Sequence, residues 1–301
     1  MNDRTRKTVL VTGATGSQGG AVARNLLSGG HRVRAFTRNT ESESAIQLKD
    51  SGAEVVGGDF ENPATITDAA KGADVVYVMG TPFELGLDAE VKQSIAAIDA
   101  SIEAGVDHII YTSVASALDR SHVPHFDSKA TVEAHLTQTG ANYTILAPVA
   151  FLSDVTEFPF WEGFTPGSGQ GVKDGVYAFP IPSETPLQMV SLEDLGQFAQ
   201  LVVENPSRFQ GERIELASFA ITGTRVAENL TRQLPWPVRY RAIPLDAWEE
   251  LAGHDGRKMA EFFTRGGYTV DIEGLHGAYP EVNWHSVQGW LDSHDWSTVR
   301  G

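Results

Sequence analysis

The chain has 301 residues, of which 41% are hydrophobic and 21% charged, and its formal net charge at neutral pH is −16. That length and composition suit one large α/β domain with a smaller lobe, while so acidic a balance excludes nucleic acid and anionic membrane surfaces as expected partners. With no cysteine, disulfides, thiolate nucleophiles and cysteine-based zinc sites are excluded, and no metal site is expected.

The N-terminal run MNDRTRKTVLVTG reads as a solvated basic tail followed by a β-strand, not a signal-peptide core, and no apolar run is long enough to span a bilayer. A cytoplasmic location is therefore expected. Thr8–Val11 is the first predicted strand and Gly20–Leu27 the helix after it. Strands follow at Arg32–Thr37, Glu54–Val56, Asp74–Met79, His108–Thr112 and Tyr143–Ala147, with helices at Ile66–Lys71, Asp88–Ala104 and Thr131–Thr139. Strand and helix alternating at this spacing imply βαβ crossovers, hence an α/β fold of the Rossmann type, a doubly wound parallel sheet.

The regularity breaks after Pro148. Residues 159–186 are rich in Gly, Pro and aromatics, which predicts a long loop, with Phe158, Phe160, Trp161 and Phe164 as a candidate lid. Ser191 is placed to cap a helix running to Val203. Beyond it come a helix at Thr224–Leu234, a strand at Val238–Ala242 and helices at Leu245–Leu251, Met259–Arg265 and Trp284–Leu291. This reading assigns residues 1–153 to a dinucleotide-binding Rossmann domain with a return segment at 187–218. Residues 154–186 and 219–301 form a smaller C-terminal α+β lobe.

The first strand feeds Gly13-Ala14-Thr15-Gly16-Ser17-Gln18-Gly19, and a helix opens directly after it. In this context Gly13 permits the tight turn, Gly16 leaves room for a pyrophosphate, and Gly19 lets the helix approach the strands. The helix N-terminus then offers free N–H groups and partial positive charge to the phosphates. Thr15, Ser17 and Gln18 belong to the same cradle. An acidic residue normally ends the second strand where NAD is bound, but here Thr37 is followed by Arg38, whose guanidinium suits a 2′-phosphate. NADP(H) is therefore the expected cofactor, with Glu41 and Glu43 as the opposing charges nearby. Asp59 and Phe60, after the third strand, should border the adenine. Thr81 and Pro82, after the fourth, should pass the ribose and nicotinamide.

On the residues Val11–Gly20, Thr37-Arg38-Asn39, Gly57-Gly58-Asp59, Glu90-Val91-Lys92-Gln93 and His125-Phe126-Asp127-Ser128-Lys129 with Val132-Glu133, the chain resembles the NmrA-like family of atypical short-chain dehydrogenases. The resemblance covers nearly the first 150 residues and weakens beyond them. It implies a cofactor site and two functional classes. One comprises NADPH-dependent reductases of quinones, dyes or related conjugated substrates. The other comprises redox sensors that bind the dinucleotide and change their affinity for a protein partner without chemistry.

Typical short-chain dehydrogenases use a Tyr-x-x-x-Lys pair, and at that spacing this chain has His125 and Lys129. Lys129 is the candidate for holding the ribose or carboxamide, and His125 for donating a proton near neutral pH. Ser113 stands where the family serine sits, either polarising a substrate oxygen or serving as a structural hydroxyl, and Tyr111 should point into the fold. Lys92 is a candidate for the cofactor or the lobe interface. Pro148 and Phe151 occupy the stretch that the family lays against the nicotinamide, although Ser153-Asp154 replaces the usual Glu-Asn pair. His276, His285 and His294 are expected to cap helices or face solvent. An NADPH-dependent oxidoreductase acting on a small conjugated or carbonyl-type molecule is the leading expectation, with the sensor as alternative; oligomeric state is open.

Overall fold

The computed structural model describes residues 6–80, 85–151, 172–173 and 175–293. Seven strands form one parallel sheet: β1 (Thr8–Val11), β2 (Arg32–Thr37), β3 (Glu54–Gly57), β4 (Val75–Met79), β5 (His108–Thr112), β6 (Tyr143–Pro148) and β11 (Arg213–Leu216), in the order β11-β6-β5-β4-β1-β2-β3. Helices α1 (Ser17–Ser28) and α2 (Glu43–Asp50) cover one face together with α6 (Leu192–Glu204). The other face is covered by α3 (Pro63–Ala70), α4 (Leu87–Glu103) and α5 (Pro124–Gln138). The expected α/β Rossmann sheet is thus present.

Strand alternation explains why both faces must be covered. Val9, Val11, Val75, Tyr77 and Ile110 point into the first core, and Leu10, Val76, Val78, Ile109 and Tyr111 into the second. Each is nearly inaccessible to water, and burying side chains of this size stabilises by roughly 1.5–3 kcal/mol apiece. Strand order reverses between β1 and β4, so the crevice for a ligand opens there, at the carboxyl ends of the strands.

The rest of the chain makes two smaller sheets. β7 (Ala150–Phe151) and β12 (Phe219–Thr222) flank β10 (Pro186–Val190), and β8 (Val172–Lys173) and β13 (Arg239–Ala242) flank β9 (Val176–Phe179). Around them lie α7 (Pro206–Phe209), α8 (Gly223–Gln233), α9 (Leu245–Thr264), α10 (Ile272–Ala278) and α11 (Val287–Ser293). Ser191 caps α6 as expected, accepting a hydrogen bond from Asp194 N, a contribution of about 1 kcal/mol.

Several boundaries depart from the sequence reading. The expected loop contains β8 and β9, because the Val-Tyr-Ala-Phe run pairs as a strand once Gly175 turns the chain at φ +67°. The helix expected from Thr131 begins at Pro124, a residue suited to the first helical turn. Helix α2, capped by Ser42, and α10 were not expected. The two helices expected at 245–265 form one run interrupted only at Gly253, where φ is +69°.

Two histidines set opposite pH dependences on this framework. His108, at the start of β5, is buried against the Thr144 hydroxyl at 2.8 Å, and burial pushes its pKa down to about 4. His285 hydrogen-bonds the buried Asp194 carboxylate, which raises its pKa against the opposing effect of burial. An unfolded imidazole titrates near about 6.5. As pH falls from there towards 4, the unfolded chain therefore takes up a proton that folded His108 refuses, and stability should fall by about 3 kcal/mol. His285 contributes fully below about 6.5, and its contribution is lost as pH rises through its elevated folded value. Denaturant unfolding across pH should show both slopes. His108→Gln should flatten the acid one, and His285→Gln the alkaline one.

Candidate functional site

The glycine loop hangs from the end of β1. Thr12 ties that strand to β4, accepting from Met79 N at 2.9 Å and donating to Tyr77 O at 3.1 Å. Gly13 adopts φ +61°, and a Cβ there would lie 2.4 Å from Met79 Cε. At Gly19 a Cβ would come within 2.3 Å of the Gly13 carbonyl oxygen, a backbone atom that cannot yield. Gly16, by contrast, is exposed and caps α1 without a side-chain hydrogen bond. No acidic residue stands in the first turn of α1, so its N–H groups present uncompensated positive potential. The cradle therefore fits a dinucleotide pyrophosphate, with Ser17 exposed at its lip and Gln18 within 3.4 Å of the Thr112 hydroxyl.

Thr15 and Thr37 meet at 3.5 Å between their hydroxyl oxygens, which brings the end of β2 against this loop. Arg38 follows immediately and is exposed. Asp59 and Phe60 lie past the end of β3: Asp59 is exposed and accepts from Glu61 N, while Phe60 meets Phe36 edge-on. Pro148 closes β6 in a buried position, and half-buried Phe151 sits on β7 beside β10. Thr81 and Pro82, the aromatic set of Phe158, Phe160, Trp161 and Phe164, Ser153 with Asp154, and His294 lie outside the described residues.

Lys129 projects from α5 to the end of β4. Its Nζ donates to Glu90 Oε1 at 2.7 Å and to the Gly80 carbonyl at 3.2 Å. Glu90 is wholly buried, and its other oxygen accepts from Ser128 Oγ at 2.6 Å. A buried ammonium is tolerable only with such a partner, and two of its three N–H bonds are used in this way. Gly80 approaches α4 so closely that a Cβ would meet Ser94 Oγ at 2.2 Å.

The other candidates divide. Ser113 donates to Glu133, which Arg213 grips at 2.8 Å, so its hydroxyl serves the structure. Tyr111 is fully buried with no partner for its hydroxyl among the described residues. Burial, reinforced by Glu90 and Glu133, holds it well above the ordinary phenol value. It stays neutral and does not replace the missing tyrosine. Lys92 is exposed on α4. His125 is buried one turn from Lys129 and engages Asp255 of α9 through Nδ1 at 2.7 Å. His285 and His276, expected to cap helices or face solvent, are half-buried, and His276 lies in the last turn of α10. The first pairs with Asp194, and the second stacks on Trp284 and bonds the Ala217 carbonyl.

Glu90, Ser128 and Asp255 were not singled out for any role from the sequence. Glu90 left a signal, since it shares the buried face of α4 with Ser94, Ala97, Ile98 and Ser101, and a carboxylate on an apolar stripe needs a partner. Asp255 left none.

A glycine cradle at the topological switch point, with a buried lysine at the end of β4, defines an NAD(P)-binding atypical short-chain dehydrogenase. The chain belongs to the NmrA-like family, whose model matches residues 5–290. It is 30% identical over 296 residues to the NmrA-like family domain-containing oxidoreductase cpsB of Aspergillus campestris, covering 87% of this chain and 85% of that protein. The Citrobacter sp. triphenylmethane reductase, solved with NADP(H), superposes with a TM-score of 0.77 at 19% identity over 95% of this chain and 99% of that one. NmrA, a negative transcriptional regulator solved with NAD, gives 0.73 at 21% identity over 96% and 95%. Among the described residues no helix is long and apolar enough to cross a membrane.

Removing one partner of the Lys129–Glu90 pair should be severe. Glu90→Leu strands the ammonium and should destabilise the protein by about 3–5 kcal/mol in denaturant unfolding. Adding Lys129→Met should recover most of that loss.

Proposed function

We propose that the chain is an NADPH-dependent oxidoreductase that reduces a small conjugated or carbonyl-type substrate. The observation that carries this reading is the Lys129 ammonium, held by the buried Glu90 carboxylate against the Gly80 carbonyl at the end of β4. There its third N–H is suited to a nicotinamide ribose hydroxyl or carboxamide. The Gly13–Gly19 cradle takes the pyrophosphate, Arg38 the 2′-phosphate, and Asp59 and Phe60 border the adenine. Pro148 and Phe151 line the nicotinamide side. A reduced dinucleotide, when bound, supplies the hydride. His125 holds the proton that the reduced substrate needs.

One observation favours the second reading, a silent NADP(H) sensor that binds a protein partner: the Ser113 hydroxyl is committed to Glu133. Following the near-ultraviolet absorbance of NADPH against quinones, enones, imines, aldehydes and cationic dyes separates the two. Turnover with one class is the expected result, and tight NADPH binding without turnover on any class would put the sensor first. Arg38→Ala should weaken NADPH by roughly 10–100-fold, the loss of a charge-assisted contact, and NADH by less than about threefold. Equal weakening in paired titrations would overturn the assignment of Arg38.

A further inference from the structure

His125 is gripped twice by one carboxylate. Its backbone N–H donates to Asp255 Oδ1 at 3.0 Å, and its ring Nδ1 lies 2.8 Å from Oδ1 and 2.7 Å from Oδ2. Asp255 comes from α9, 130 residues further along the chain. We infer that Asp255 is a positioning residue that holds His125, through Nδ1, as the proton donor of the reduction. This inference rests on the reductase reading above.

The carboxylate is itself held in place. The left-handed turn at Gly253 starts the second half of α9, so Asp255 falls in its first turn. Across that break the buried Trp248 donates Nε1–H to the Gly256 carbonyl at 3.0 Å. A Cβ on Gly256 would meet Ala252 Cβ at 2.4 Å, so only glycine fits. Phe126 next to His125 packs edge-on against Phe262 at 5.3 Å and stacks with Tyr268 at 6.0 Å, clamping α5 to the C-terminal half of α9. Dyad geometry is thus set by a core on both sides, which is what preorganised proton transfer requires.

An Nδ1–H bound to a carboxylate fixes the tautomer and assigns proton exchange to Nε2. Asp255 remains ionised: burial alone would raise its pKa, but hydrogen bonding to His125 and the imidazole charge outweigh burial and hold it below the usual carboxylate value. His125 lies in the first turn of α5, where the helix dipole disfavours a cation, and Asp255 offsets this. Among the described residues, the charged groups nearby include His254 beside Asp255 on α9, Lys129 and exposed Asp127 on α5, and Glu90 of α4, which reaches Ser128 and Lys129. In the step itself, a bound NADPH would supply the hydride to the substrate's unsaturated carbon and be left as NADP⁺. The π electron pair moves to the heteroatom, where the Nε2–H bond breaks as the new heteroatom–H bond forms. Neutral His125 then regains its proton from water.

The test uses the full chain and two readouts. In cofactor-free protein, ¹⁵N-detected NMR should show neutral His125 carrying its proton on Nδ1, and Asp255→Ala should remove that tautomer preference. A proton on Nε2 in the wild type, or an unchanged tautomer in the variant, would overturn the dyad without any assay of turnover. With the substrate class found above, Asp255→Asn should lower kcat at least tenfold and shift the pH profile while NADPH affinity stays within twofold. Asp255→Glu should restore part of kcat. Unchanged kcat and pH profile would overturn the inference and leave the reductase reading standing. Absence of wild-type turnover on every substrate would overturn both.

Discussion

At Gly19 a single hydrogen separates helix α1 from the turn beneath it. Any larger substituent would sit 2.3 Å from the Gly13 carbonyl oxygen, and the helix would have to lift away from the strand end. The outer side of α1 is similarly tight: a Cβ on Gly196 of α6 would meet Asn25 Nδ2 at 2.4 Å and the Ala21 carbonyl at 2.9 Å. Helix α1 is thus wedged between β1 and α6 by two glycines far apart in sequence, and its N-terminus is aimed along the crevice at the strand ends. A phosphate cradle depends on that aim, because the stabilisation offered by helix N–H groups falls away within the first turn.

Buried carboxylates are the second organising device. Glu90 holds Lys129, Glu133 holds Ser113 and Arg213, and Asp194 holds His285 and Ser218. Each joins segments distant in the chain: α4 to α5, α5 to both β5 and β11, and α6 to the stretch before α11. Ionic groups so deep in the protein add little net stability over an apolar core of equal volume, yet breaking one pair is expensive. They act as keys of register, penalising any packing that leaves a charge unmatched.

Periodicity made much of the first half legible. Strands such as Thr8–Val11 and Arg32–Thr37 have the boundaries read from their β-branched alternation, and the parallel sheet follows from their spacing. Helix starts were harder. The apolar pattern starts α5 only at Thr131, whereas that helix opens at Pro124 and carries both His125 and Lys129. The later segment read least well, because Val176–Phe179 is too short for a period to declare itself among prolines and glycines. Lys129 was identified as a candidate, but its partner Glu90 was visible only as a misplaced polar residue on a buried face. Asp255 reaches His125 from just beyond the break in α9 at Gly253. No spacing rule foretells a contact across 130 residues.

That contact bears on how a short-chain dehydrogenase framework tolerates losing its tyrosine. A phenol needs a nearby cation to donate its proton near neutrality, and typical members place a lysine for that purpose. In this chain the lysine's charge is already balanced by Glu90, so a tyrosine at position 125 would gain little from it. An imidazole has the opposite requirement, since it must be held positive to act as an acid, and a carboxylate is the suitable neighbour. Replacing tyrosine with His125 therefore calls for an acidic partner where the older arrangement called for a basic one. Helix α9 places Asp255 there, and on the proposed reading the lysine is left to orientation.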